Sequence, residues 1–235
     1  MATTEYTVIG MMVILLASSV LADPDMLQDV CVANLASDVT MNGFACKRHV
    51  SADDFFYAGL SQPRSTNNIF GATATQVTVH NITGLNTLGM SMSRIDFAPG
   101  GLNPPHLHPR SAEIFFVLEG KLDISFITTD NKLYSKSVKA GELFVYPKGL
   151  IHYQINNGKD PAVAVAFFNS QLPGIQRVPN ALFASSPSVP NDIPTCKFVD
   201  SLHGYMCSLL SLVFPFRNFK HDIRSTSLIS NGIPY

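Results

Sequence analysis

Between residues 76 and 168 the chain falls into short runs in which apolar and polar residues alternate or apolar residues are continuous, each closed by turn-forming residues. Residues 76–80 alternate, and so do residues 88–97 (LGMSMSRIDF), which lead into Pro99-Gly100-Gly101. Alternation of this kind predicts strands with one buried face. Residues 114–118 form an apolar run ending at Glu119-Gly120. Residues 121–126 and 133–138 flank a polar turn at 129–132, and residues 142–146 and 151–155 flank Pro147 and Gly149. The run AVAVAFF at 162–168 has the composition of a strand buried on both faces. Short strands with turns about every 8 to 12 residues predict an all-β fold, a closed antiparallel barrel or jelly roll. Upstream, SADDFF at 51–56 reads as a short helix start with acidic residues in its first turn, and SQPRSTNN at 61–68 as a polar linker into the barrel.

Composition narrows this picture. At 235 residues and 46% hydrophobic side chains the chain can bury a substantial core as one domain with appendages. A formal net charge of −1 with 14% charged residues excludes a generic electrostatic hold on nucleic acid or an anionic membrane. Residues 1–22 read as a secretory leader: residues 8–16 are apolar apart from Gly10, and Val20-Leu21-Ala22 offers small residues for cleavage before Asp23. The apolar stretch falls short of the roughly 20 residues of a membrane-spanning helix. The expected organisation is therefore a leader at 1–22, an N-terminal extension at 23–61, a barrel at 62–195 and a tail at 196–235.

Candidate chemistry lies between residues 100 and 156. Its first half, PGGLNPPHLHPRSAEIFFVLEG, carries His106, His108 and Glu113; its second, GELFVYPKGLIHYQIN, carries His152. Pro104 and Pro105 force an extended approach, so His106 and His108 project from one side of a strand about 6 to 7 Å apart. Each half reads as a hairpin, and two hairpins converging on one point would bring the carboxylate beside the imidazoles. Three neutral imidazoles and one carboxylate leave a divalent ion with one net positive charge. On a six-coordinate metal they leave two positions open, which points to chemistry rather than to a closed structural site. The donor set alone does not choose among Fe, Ni, Cu, Zn and Mn.

The spacing Gly100, His106-x-His108, Glu113, Gly120, followed by Gly141, Pro147-x-Gly149, His152, Asn156, resembles the double signature of the germin family of plant cupins, with similarity from about residue 31 to about residue 194. This resemblance implies a cupin β-barrel with a short N-terminal extension, binding Mn through His106, His108, Glu113 and His152. It also implies a secreted, apoplastic protein assembled as a homo-hexamer, a trimer of dimers. An exported chain permits disulfides. Cys31 and Cys46 are the expected pair, with Asn42-Gly43 turning the chain between them, and germins have a similar bridge near the mature N-terminus. A loop of about 15 residues constrains the unfolded chain by about 3 kcal/mol. Asn81-Ile82-Thr83 is a glycosylation sequon. Germins follow a Pro-rich segment, here 184–194, with C-terminal helices; residues 195–235 do not match that pattern, and the pairing of Cys196 with Cys207 stays open.

Two functions remain. The resemblance implies a superoxide dismutase-type oxidoreductase acting on a small anion or dioxygen species and yielding hydrogen peroxide in plant defence, with the four ligands as the redox centre. The alternative is a non-enzymatic extracellular cupin with a storage, receptor or wall-binding role. Oxalate oxidation requires two asparagines near the metal in the germins that perform it. One falls on Asn103 and is present; the other falls on Ser93, so oxalate oxidase activity is expected to be weak or absent.

Overall fold

Ten strands arise where the hydrophobic pattern alternates. A computed structural model describes residues 28–39 and 43–188; the expected leader, Cys196, Cys207 and the tail lie outside them. The strands are β1 (Ala72–Val77), β2 (Ser91–Phe97), β3 (Leu102–Leu107), β4 (Glu113–Glu119), β5 (Lys121–Ile127), β6 (Leu133–Lys139), β7 (Leu143–Tyr146), β8 (Ile151–Ile155), β9 (Ala162–Phe168) and β10 (Gln176–Arg177). They form two sheets of order β1-β2-β9-β4-β7 and β10-β3-β8-β5-β6, and the pairings within β1 to β9 are antiparallel. The chain divides into two compact units, one ending at Gln176 and one beginning at Arg177. Within the described part of the second lies one helix, α1 (Val178–Phe183), with Pro179 in its first turn, where its missing N–H is not needed.

The inward residues of alternating strands make the core. Phe115 and Val117 of β4, Ile95 and Phe97 of β2, Leu122 and Ile124 of β5, and Ala162, Ala164 and Ala166 of β9 are buried in one cluster with Tyr146 and Phe168. Each large side chain buried here contributes on the order of 1.5–3 kcal/mol relative to exposure. The aromatic members, Phe97, Phe115, Tyr146 and Phe168, belong with the alanines to the first sheet, and Leu122 and Ile124 come from the second.

Three sequence expectations change: β9, expected to be buried on both faces, buries Ala162, Ala164, Ala166 and Phe168 but turns Phe167 outward, and two strand limits move. The strand expected at 76–80 ends at Val77, because the Asn81 side chain accepts from Thr78 N–H at 3.0 Å and turns the chain. The strand expected from 88 begins at Ser91, after Thr87 and Gly89 take positive φ values of 66° and 62°. The helix start at 51–56 is a single 3-10 turn (Ala52–Phe55).

The N-terminal extension is fastened at two places. Cys31 and Cys46 are disulfide-bonded, and fully buried Asn86 joins that loop to the barrel by donating to Phe44 C=O at 2.9 Å and accepting from Gln171 Nε2 at 3.2 Å. Arg94 and Asp96, paired at 2.9 Å, bind the linker at Leu60 C=O and Arg64 N–H. No helix among the described residues is long and apolar enough to cross a membrane.

Candidate metal centre

A bulge in β3 sets the geometry. Asn103 pairs with Gln154 and His106 with His152, so three steps on β3 match two on β8. Three steps along a regular strand would put Asn103 and His106 on opposite faces; the extra residue restores both to the inner face. Its cause is Pro104-Pro105, which has no N–H to give the ladder.

The carboxylate arrives from the other sheet. Glu113 begins β4, where it is opposite Tyr146 of β7 and Phe168 of β9, and it meets the histidines across the interior of the sandwich. The two expected hairpins are thus corners at which the chain changes sheet: β3 to β4 through Pro109, and β7 to β8 through Pro147. At the first corner Asn169 Oδ1 accepts from Ser111 Oγ at 2.8 Å and Ala112 N–H at 2.9 Å, holding the backbone just before Glu113.

One donor atom each from His106, His108, Glu113 and His152 lies within 4.8 Å of the others, and all four residues are buried. His106 Nδ1 donates to Pro104 C=O at 2.8 Å, His152 Nδ1 to Leu150 C=O at 2.8 Å, and His108 Nδ1 to Gly174 C=O. A carbonyl only accepts, so each Nδ1 carries a proton and each ring turns its Nε2 inward, where a neutral ring offers a lone pair. Glu113 Oε2 is 3.2 Å from Nε2 of both His108 and His152, and while those two rings are neutral no hydrogen lies between them. Glu113 Oε2 and His152 Nε2 are accordingly buried without hydrogen-bond partners.

Electrostatics leads to the same place. Burial, reinforced by His152 and His108, lowers the pKa of His106 to about 3, which keeps its ring neutral. Burial alone would raise Glu113, but His108 and His152 outweigh it and bring the pKa down to about 2. Their pull requires positive charge between rings and carboxylate, from a shared proton or from a cation. Converging lone pairs around an unpartnered carboxylate fit a divalent metal ion.

Around the ligands is a buried polar and aromatic layer. Tyr146 stacks on His152 with centroids 4.3 Å apart, and Phe168 packs on His108 at 4.6 Å. Tyr146 OH accepts from Gln154 Nε2 at 2.9 Å, and Gln154 Oε1 accepts from Asn103 Nδ2 at 2.7 Å. Burial, with Glu113 nearby, pushes the Tyr146 hydroxyl well above its ordinary value. Asn103 thus sits on the metal side of the barrel, at the end of a hydrogen-bond chain that reaches a ligand's ring. Ser93 also faces inward, but its hydroxyl donates to Thr75 C=O at 3.1 Å. Asn81 is exposed in the turn after β1.

Gln154, Tyr146 and Gly174 were not singled out from sequence. Gln154 follows His152 by two residues on a strand, a spacing that signals a shared face. The Gly174 carbonyl leaves no side-chain signal at all.

The double-sheet barrel with a His-His-Glu-His cluster inside is the architecture of a cupin, and residues 58–199 match the family model described as Cupin. The chain is 59% identical over 179 residues to Germin-like protein 1-1 of Oryza sativa subsp. japonica, covering 76% of this chain and 83% of the relative. It is 59% identical over 174 residues to Germin-like protein subfamily 2 member 1 of Arabidopsis thaliana, covering 73% and 80%. Among solved structures it is similar to a recombinant oxalate oxidase in complex with glycolate, with a TM-score of 0.73 and 44% identity over 82% of this chain and 98% of that one. The chain belongs to the germin-like proteins of the cupin family.

Proposed function

We propose that this chain is a secreted manganese-binding oxidoreductase of the superoxide dismutase type, working in the apoplast and releasing hydrogen peroxide, with little or no oxalate oxidase activity. The observation that carries this reading is the buried meeting of three imidazole lone pairs and one unpartnered carboxylate oxygen. Bound there, a redox-active divalent metal supplies one-electron exchange with a small dioxygen species. The overall conversion takes two superoxide anions and two protons to dioxygen and hydrogen peroxide.

The chain's own residues prepare the site. Carbonyls of Pro104, Leu150 and Gly174 hold the Nδ1 protons, so each ring presents its Nε2 to the centre. The Tyr146 and Phe168 rings exclude water from the His152 and His108 sides. One net positive charge remains to attract a small anion. Weak action on oxalate is supported by Ser93, whose hydroxyl is committed to Thr75.

Self-association, with the homo-hexamer as its proposed form, is supported by the outer face of the first sheet. Val145, Ile114 and Phe167 form one cross-strand row and Leu143, Phe116 and Val165 the next. Of these, Ile114, Leu143, Val145 and Phe167 are exposed, and such a contiguous apolar patch marks an interaction surface.

The test is elemental analysis of the purified secreted protein, joined to a superoxide assay before and after chelation. Manganese near one per chain with activity lost on chelation supports the reading. Manganese without activity overturns it in favour of a non-enzymatic cupin, and absence of bound metal overturns the oxidoreductase reading.

A further inference from the structure

The three ligand histidines are not oriented in the same way. His106 and His152 each use a carbonyl two residues earlier in the chain, Pro104 within β3 and Leu150 just before β8. Those acceptors are local in sequence. His108 instead uses Gly174 C=O, 66 residues further along. Its orientation therefore depends on something that holds residues 172–174 in place.

Arg110 is that holder. Its Nε donates to Leu172 C=O at 2.7 Å and its backbone N–H to Pro173 C=O at 3.2 Å. Gly174 has a φ of +69°, and a Cβ there would stand 2.7 Å from Arg110 Nη2, so the guanidinium lies flat against the glycine. A side chain at 174 would be strained by the backbone and would also push the guanidinium aside. Two residues beyond the ligand, Arg110 closes a loop: His108 donates to Gly174, and Arg110 grips the two residues before Gly174.

We infer that Arg110 is a positioning residue for the metal ligand His108, acting through the segment 172–174 and setting how tightly the centre holds its metal. The inference rests on the metal-binding reading above. Arg110 touches no ligand atom of the centre; its effect passes through the Gly174 carbonyl. Partners of this type, one step removed from the metal, change affinity by about 10- to 100-fold when lost.

The test compares the full chain with its Arg110→Ala, Arg110→Lys, Gly174→Ala and Arg94→Ala variants. Readouts are the Mn(II) dissociation constant by chelator competition, the Mn(II) electron paramagnetic resonance spectrum, and the melting temperature without metal. Arg94 serves as the control because its guanidinium also binds a loop carbonyl, Leu60 C=O, but that loop holds no ligand. Arg110→Ala is expected to weaken Mn(II) binding about 10- to 100-fold and to alter the spectrum. Arg110→Lys recovers part of the affinity, Gly174→Ala follows Arg110→Ala, and Arg94→Ala lowers the melting temperature while keeping the parent's affinity. Should Arg110→Ala fail to fold, Arg110→Lys and Gly174→Ala carry the comparison. Parent-like affinity and spectrum in the Arg110 and Gly174 variants overturn the inference, as does an equal loss in Arg94→Ala. A parent chain that binds no Mn(II) instead overturns the metal-binding reading itself.

Discussion

His106 and His152 face one another directly across the β3–β8 ladder, their ring centroids 4.2 Å apart. Two imidazoles this close, with Nε2 atoms turned to the same point, gain from a cation between them. His152→Ala removes one donor and is expected to take the metal content from near one per chain to a small fraction, read by elemental analysis. In the parent, free metal at about 100 times its dissociation constant raises unfolding free energy by about 2.7 kcal/mol. Thermal melts with and without chelator report that difference, and it should be absent in His152→Ala.

Ser93 bears on which anion is accepted. Its hydroxyl is spent on Thr75 C=O, so restoring an amide by Ser93→Asn should raise hydrogen peroxide release from oxalate. One hydrogen bond to a charged group is worth about 1.5–3 kcal/mol, an effect of roughly ten- to a hundredfold. A variant no faster than the parent would show that Ser93 does not limit oxalate turnover.

Asp54 ties the 3-10 turn to its surroundings. It pairs with Lys47 at 2.6 Å, accepts from Ser51 N–H at 2.9 Å and from Thr83 Oγ1 at 3.0 Å. Lys47, then Ser51, lowers its pKa from 3.8 to about 2. A carboxyl with a depressed folded-state pKa stabilises above its unfolded value and loses that contribution as acid takes pH down through the folded value. Parent stability should therefore fall between about pH 4 and pH 2 more steeply than that of Asp54→Asn, as urea midpoints across that range would reveal.

Leu143 and Val145 stand on the exposed edge strand of the first sheet. Replacing both with Glu puts charge into the apolar rows and should shift the protein to a smaller species in sedimentation. Metal content should remain as in the parent, because neither side chain faces the core. An unchanged sedimentation coefficient would turn attention to other surfaces.

Much of this was legible in the sequence because alternation reports which face of a strand is buried, and two histidines separated by one residue must share a face. Seven of the strands, β2 and β4 to β9, begin or end within one residue of the expected runs. The direction from which Glu113 arrives was not legible. Pro109 and Pro147 announce a break in the chain, but a break looks the same whether the next strand returns to its own sheet or crosses to the other. The β3 bulge was half visible: Pro104-Pro105 signals lost ladder bonds, whereas the count of three residues against two depends on β8, which lies far along the chain. Register errors at 78–80 and 88–90 arose from local turn chemistry that alternation ignores.

Glu113 is presented by one sheet and the histidines at 106 and 152 by the other. The complete donor set therefore does not exist on either layer alone. A ribosome must have released the chain beyond β8, and the layers must have closed, before an ion finds all its ligands. Any metal this site takes up is consequently chosen from what is dissolved where the two sheets close.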